Sequence, residues 1–308
     1  MRALLVFNPN ATTTDDRVRD AIATKLGSAL DLDVRPTKQR GHATHLVAGA
    51  VHEGVDVVFA LGGDGTANEV LQALVGTGVP LGAIPGGGAN ILARALGLPR
   101  DPLAATEALL AHLQEGRRRT ITLGRVAGRY LSLHAGFGFD AQVVRRVEQH
   151  PRRKRLLRDG TFVLAVAEEW FAGAGRDPAE LEVRLPDGRS HGPYAVTIVA
   201  NCDPYTYLGP RPMHVHPRAS FDDGLDVVAV RPVGTARLLA ILSQVFRNGG
   251  HVDADDVDYW TDLDGFELSA AHPQPLMVDG DYAGEHRVAR FEAVRKALTV
   301  LGAQADER

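Results

Sequence analysis

Four stretches of the sequence place carboxylates on glycine-rich turns. They are Asp64 in GGDGTANE (62–69), Asp140 in GFGFDA (136–141), Asp222, Asp223 and Asp226 in FDDGLD (221–226), and Asp279, Asp281 and Glu285 in VDGDYAGE (278–285). Carboxylates in such places do one of two things: they hold a divalent cation through oxygen, or they take a proton from a reacting hydroxyl. A glycine-rich turn that opens a helix adds a third property, because its backbone N–H groups and the positive helix end receive anions. Asp64 stands where all three meet, since its turn follows the apolar run VDVVFALGG and precedes a helical pattern. Two readings are open there: an acid-capped strand-to-helix connection, or a phosphate cradle whose negative charge is balanced by a metal. A second turn, AIPGGGANILARALGLP (83–99), repeats the arrangement one strand later and is either a loop or the second wall of the same ligand site.

Other clusters are weaker. Gly136, Gly138 and Ala141 fit the spacing of a dinucleotide fingerprint, but they fall beyond the region of alternating strands and helices and carry Asp140 inside the turn, so that reading is rejected. The FDDGLD segment reads equally as a turn or as a small cation site. His214 and His216, at i and i+2, are expected on one face of a strand and lack an evident third metal ligand. The run HPRRKRLLRDG (150–160), with Arg152, Arg153, Lys154 and Arg155, is either a solvated helix end or a surface that meets anionic lipid.

The elements that must position these residues fall into two textures. Up to about residue 120, short apolar strands alternate with helical patterns: strands at 3–7, LDVRPT, DVVFALGG and PLGAIPGG, and helices over 15–30, 43–53, 67–75, 91–96 and 101–115. One helix between successive strands predicts a doubly wound α/β domain with a parallel sheet, whose ligands lie at the carboxyl ends of the strands. Beyond it, short alternating runs such as RTITLGRV, YAVTIVANC, MHVHPRA and GLDVVAVRP predict a mainly antiparallel β-sandwich, with helices near 141–171 and 234–248. RVARFEAVRKALTVLG (287–302) mixes both signals. The expected division is an α/β domain over 1–122 and a β-sandwich over 123–289, with 290–308 packing back on the first.

Composition narrows the function classes. The 308 residues are 44% hydrophobic and 23% charged, with a formal net charge of -4. That balance argues against a nucleic-acid binder, which would show a basic stripe. A single cysteine, Cys202, excludes an internal disulfide framework and a cysteine-based zinc site, so a reducing cytoplasm is expected. MRALLVFNPN predicts no secretory leader, and no uncharged apolar run reaches the roughly 18 residues of a membrane span. Lysines stand only at positions 25, 38, 154 and 296, so no lysine follows a glycine-rich turn as a P-loop requires.

NPN (8–10), GGDGTANE, PGGGANILAR (85–94), GFGFDA, DDGLDV (222–227) and VDGD (278–281) occur in an order that resembles the diacylglycerol kinase catalytic superfamily, most closely its soluble bacterial lipid kinases. The resemblance spans nearly the whole chain. It implies an ATP-dependent lipid kinase, with diacylglycerol the foremost acceptor, ATP and Mg²⁺ as co-substrate and metal, and a transient visit to the anionic inner face of the membrane. It also implies ATP contacts at Asn8, Pro9, Asn10, Ala11, Thr12, Thr37, Gly62, Gly63, Asp64, Gly65, Thr66, Ala67, Asn68, Glu69, Gly88 and Asn90. Ser220, Asp223 and Leu225 would hold a structural Mg²⁺, and Asp281 would be the catalytic base with Asp279 beside it. Asp64, Asp140 and Asp279 become the carboxylates for the nucleotide's metal. Some such relatives form dimers, so a homodimer is in view. Three departures stand out: NPNATT lacks a terminal glycine, Gly88 replaces a hydroxyl residue, and Asp281 is a methylene shorter than glutamate. The competing readings are an NAD-kinase-like small-molecule kinase, for which no GSTAY-like segment is present, and a non-catalytic nucleotide- or lipid-binding protein.

Overall fold

A computed structural model describes residues 1–11, 15–139, 141–142, 180–208 and 211–302. Thr12, Asp140 and the basic run with Arg152, Arg153, Lys154 and Arg155 lie outside the described residues, as does most of the helix expected near 141–171. The chain divides into two units, one of residues 1–123 with 295–302 and one of residues 124–294.

The first unit is built on parallel strands β1 (Arg2–Phe7), β2 (Asp31–Pro36), β3 (Val57–Gly62) and β4 (Leu81–Pro85), in the order β4-β3-β1-β2. The strands β1, β3 and β4 are buried almost end to end, as expected of strands covered on both faces. Helices α1 (Asp16–Gly27) and α5 (Pro102–Gln114) pack on each other, as do α2 (His42–His52) and α3 (Asp64–Leu74). The short α4 (Ile91–Ala95) follows β4. Asp15 and Asp101 cap α1 and α5, each accepting a backbone N–H three residues on. α3 starts three residues earlier than the sequence pattern predicts, because Asp64, Gly65 and Thr66 form its first turn instead of a preceding loop.

The second unit carries an antiparallel sheet in the order β14-β13-β10-β7-β15-β16, from Val257–Leu263, Leu225–Val230, Val196–Ala200, His134–Gly138, Gly265–Val278 and Asp281–Leu301. β8 (Leu181–Arg184) and β9 (Ser190–Tyr194) form a hairpin on β15, while β5 (Arg118–Val126) and β6 (Arg129–Leu131) form another. Strands β11 (Thr206–Leu208) and β12 (Arg211–Met213) pair separately. Helix α6 (Thr235–Val245) buries Leu238, Ile241 and Val245. The core gathers Phe137, Leu181, Tyr194, Val227, Leu276 and Phe291.

One open assignment is decided and one expectation changes. The mixed segment 287–302 is strand, its end reaching the first unit where Val300 pairs with Leu81. MHVHPRA is not a strand beyond Met213, so His214 and His216 do not share a strand face. Their rings are occupied separately: His214 Nδ1 meets Asp203 Oδ2 at 2.6 Å, and His216 Nε2 meets the Ile198 carbonyl at 2.9 Å. Local hydrogen bonding outweighs a period-2 pattern only three residues deep.

Candidate functional site

In the first unit the residues singled out from sequence collect at the carboxyl ends of the parallel strands. The register puts Phe7 beside Pro36 and Leu61, and Gly62 beside Pro85, so the chain leaves β1, β2, β3 and β4 at one end of the sheet. Asn8, Thr37, Gly63 and Gly86 are the residues that follow. The NPN turn closes on itself, with Asn10 N–H donating to Asn8 Oδ1 at 2.9 Å and Ala11 N–H to the Asn8 carbonyl at 3.1 Å. Thr37 N–H donates to the Phe7 carbonyl at 2.8 Å.

The two glycine-rich turns are one piece of structure. Gly86 N–H donates to the Gly62 carbonyl at 2.7 Å, and a Cβ on Gly87 would lie 2.6 Å from Gly63 Cα. Asn90, left-handed at φ 50°, ties the second turn by accepting from Gly87 N–H at 2.8 Å and donating to the Gly87 carbonyl at 2.7 Å. Glycine at 87 is therefore a packing requirement, whereas a Cβ on Gly63 would make only ordinary contact, 3.5 Å from Gly87 Cα, and the glycines leave the backbone of both turns open to a close-approaching ligand. A Cβ on Gly88, by contrast, would meet nothing within 4 Å.

Asp64 joins these turns. As the first residue of α3, its Oδ1 accepts the N–H of Leu92 at 3.0 Å. Burial pushes its carboxyl up from the ordinary carboxylate range, against backbone donors at residues 90–92 and its own amide. Glu69 faces elsewhere: its carboxylate accepts the Ala43 N–H at 3.1 Å and so caps α2, whose own N-cap, Gly41, has no side chain to do so. Asn68 is buried and accepts from Gln72.

In the second unit the VDGD segment is a two-residue hairpin loop between β15 and β16. Asp279 and Gly280 take φ 48° and 84°, and Val278 pairs with Asp281. Positive φ at both loop positions is the type I′ geometry that Asp-Gly favours. The Asp279 carboxylate is held at four points: Ser132 N–H and Oγ at 2.8 and 3.0 Å, and the N–H groups of Leu133 and His134 at 2.9 and 3.0 Å. Burial pushes this carboxyl up, and the donors at Ser132, Leu133 and His134 oppose the rise. Asp281 instead meets Arg129, with Nη2 to Oδ2 at 3.1 Å.

Ser220, Asp223 and Leu225 lie in a turn entering β13. Asp223 N–H donates to the Ser220 carbonyl at 3.1 Å, and Gly224 N–H donates to Asp262 at 2.7 Å. Beneath them, burial pushes the Asp226 carboxyl up to about 6 against hydrogen bonds from Tyr259 and the Asp262 amide, and the charges of Asp223 and Asp262 add to the rise. Among the described residues no group of three or more His, Cys, Asp or Glu is arranged to hold a metal ion.

The comparisons agree with one another on the family. Residues 2–126 match the diacylglycerol kinase catalytic domain, and residues 134–302 match the YegS C-terminal NAD kinase beta sandwich-like domain. The chain is 31% identical to a Pseudomonas savastanoi pv. phaseolicola protein described as "Probable lipid kinase YegS-like", over 97% of this chain and 92% of that one.

The chain belongs to the YegS-like, diacylglycerol kinase-related lipid kinases.

Within this lipid kinase family it is also 31% identical to a diacylglycerol kinase of Mycobacterium tuberculosis, over 84% of this chain and 81% of the relative. The fold is that of a diacylglycerol kinase crystal structure from Bacillus anthracis str. Sterne, with TM-score 0.70, 20% identity, and 98% and 96% of the two chains covered. It also extends to an NAD kinase from Archaeoglobus fulgidus, solved in complex with ATP, with TM-score 0.54, 13% identity, and 99% and 94% covered. Among the described residues, no helix is long and apolar enough to cross a membrane. Four relationships escaped the sequence reading: Arg129 with Asp281, the 132–134 amides with Asp279, the Leu92 amide with Asp64, and Glu69 as the cap of α2. Only Arg129 had a local signal, a charged residue directly after the Ala127-Gly128 turn.

Proposed function

We propose that this family member transfers the γ-phosphoryl group of ATP to the hydroxyl of a lipid, with diacylglycerol as the first acceptor to test. The observation that carries the reading is the backbone contact between the Gly62–Thr66 and Gly86–Asn90 turns at the carboxyl ends of β3 and β4. Glycine at both turns lets a ligand approach the main chain closely, and the start of α3 adds its positive end, which together suit a polyphosphate.

In the proposed reaction the lipid hydroxyl oxygen attacks the γ-phosphorus. A new O–P bond forms, the bond from the γ-phosphorus to the β,γ-bridging oxygen breaks, and ADP departs with that bonding pair. The hydroxyl proton passes to an Asp281 carboxylate oxygen. Most of the rate comes from alignment and charge stabilisation, as in other phosphoryl transfers. Mg²⁺ would screen the phosphates when bound with the nucleotide. Asp64 and Asp279 are engaged with backbone donors, and among the described residues no group of three or more His, Cys, Asp or Glu is arranged to hold a metal ion by itself.

The acceptor resides in a membrane, so the protein must meet one, and the basic run at 152–155 is the proposed contact. Flotation with anionic vesicles tests it, and charge reversal at Arg152, Arg153 and Arg155 should reduce recovery in the floating fraction. For the reaction, labelled ATP is incubated with the purified protein, total lipid extract and then single lipids. A labelled phospholipid that disappears with Asp281→Asn supports the proposal. Label transferred to a nicotinamide nucleotide, or ATP binding with no labelled product, overturns it.

A further inference from the structure

We propose that Arg129 is a positioning residue that fixes the carboxylate of Asp281 for proton acceptance. The inference rests on the reading above, in which Asp281 is the base. β5 and β6 are joined by a two-residue loop, Ala127 and Gly128, at φ 49° and 76°, with Val126 paired to Arg129. That tight turn sets where Arg129 leaves the backbone, as the first residue of β6.

The next residues serve the neighbouring carboxylate. Ser132, Leu133 and His134 supply the four donors that bind Asp279, and Asp279 N–H returns a bond to the His134 carbonyl at 2.8 Å. One six-residue segment, 129–134, thus grips both carboxylates of the DGD loop by different means. Amides immobilise Asp279 and with it the backbone two residues before Asp281's side chain. A guanidinium then selects the rotamer of Asp281, through Nη2 and Oδ2 at 3.1 Å.

The exposures suit this division. The side chains of Arg129 and Asp281 are 33% and 22% accessible, so the pair is open enough for a substrate hydroxyl to arrive. A half-exposed pair of this kind adds little to stability. Its value lies in holding a reacting oxygen in place, where an error of about 1 Å costs on the order of 100-fold in rate. Arg125, paired with Tyr130 on the facing strand, is engaged with Glu292. Lysine keeps the positive charge at this contact but not the guanidinium geometry, so it should substitute in part.

The test uses the full-length protein with Arg129→Gln, Arg129→Lys and Asp281→Asn, assayed for ATP-dependent phosphorylation of diacylglycerol in mixed micelles. Arg129→Gln is expected to lower kcat at least 10-fold with the KM for ATP within twofold of wild type, and Arg129→Lys to recover most of that loss. A kcat for Arg129→Gln within twofold of wild type, or a lysine variant no better than glutamine, overturns the proposal. A double-mutant cycle on the melting temperature, from Arg129→Gln, Asp281→Asn and the double variant, reads the pair without activity, and strict additivity also overturns it. A wild-type protein that phosphorylates no lipid while the cycle still shows coupling instead sinks the kinase reading, and the catalytic role of Arg129 with it.

Discussion

Gly63 and Gly87 meet backbone to backbone: a Cβ added to Gly87 would stand 2.6 Å from the Cα of Gly63 and 3.2 Å from its nitrogen. No side-chain end is available to move aside, so the turns themselves must separate. Gly87→Ala should therefore cost on the order of 1–3 kcal/mol, as overpacking does, and weaken nucleotide binding more than it weakens the fold. Gly88→Thr is the control next door, because its Cβ enters open space. It should leave the melting temperature nearly unchanged and, if the hydroxyl reaches nucleotide, lower the KM for ATP. Paired melting curves and ATP titrations check both.

Asp64 can be separated into its two roles. Asparagine keeps an oxygen for the Leu92 N–H but not the charge, whereas alanine removes both. Asp64→Asn should melt closer to wild type than Asp64→Ala, which loses about 1–3 kcal/mol by orphaning a partly buried amide. If charge matters to the nucleotide and its metal, both variants lose phosphorylation. Activity in Asp64→Asn equal to wild type would assign the residue to architecture alone.

The two aspartates of the DGD loop should separate cleanly. Both oxygens of Asp279 face donors, two to each, so Asp279→Asn turns an amide NH₂ against two of them. Its expected cost is about 1–3 kcal/mol, seen as a lowered melting temperature and, through displacement of Asp281, lowered activity. Asp281→Asn weakens a solvent-accessible ion pair with Arg129. It should retain the wild-type melting temperature within about 1 kcal/mol and lose nearly all turnover.

Acid should destabilise the second unit by way of its buried histidines. Burial lowers His134 and His216 to about 3, and the charges of His134 and His251 further lower His216. Among the described residues, Nδ1 of His216 and Nε2 of His134 have no hydrogen-bond partner. Between the unfolded value of about 6.5 and the folded value, the unfolded chain binds more protons. The contribution of these rings is complete above about pH 6.5 and is lost as pH falls through that window toward 3. Thermal melts between pH 7.5 and pH 5 should show it, with a shallower slope for His216→Gln, whose amide can still donate to the Ile198 carbonyl.

Much of the architecture was legible locally. Strand–helix alternation over the first 115 residues predicted the α/β unit, and short alternating runs predicted the β unit. These signals survive because parallel strands buried on both faces read as apolar runs. The start of α3 was misplaced because Gly-Asp-Gly-Thr looks like a loop by propensity, whereas packing against the second glycine turn makes it helical. The segment 287–302 was ambiguous because its identity as strand depends on partners in β15 and β4.

The sequence by itself determined which residue types stand on glycine-rich turns and that those of the first unit gather at the carboxyl ends of its parallel strands. That follows from periodicity and chain direction alone. Only the tertiary structure decided what each carboxylate faces. Leu92 lies 28 residues from Asp64, and Ser132 and Arg129 lie 147 and 152 residues before Asp279 and Asp281. No local pattern carries such pairings, because a hydrogen bond between distant residues depends on sheet register and turn geometry. Chemically identical aspartates are thus divided between an anchor at 279 and a solvent-accessible, arginine-held carboxylate at 281.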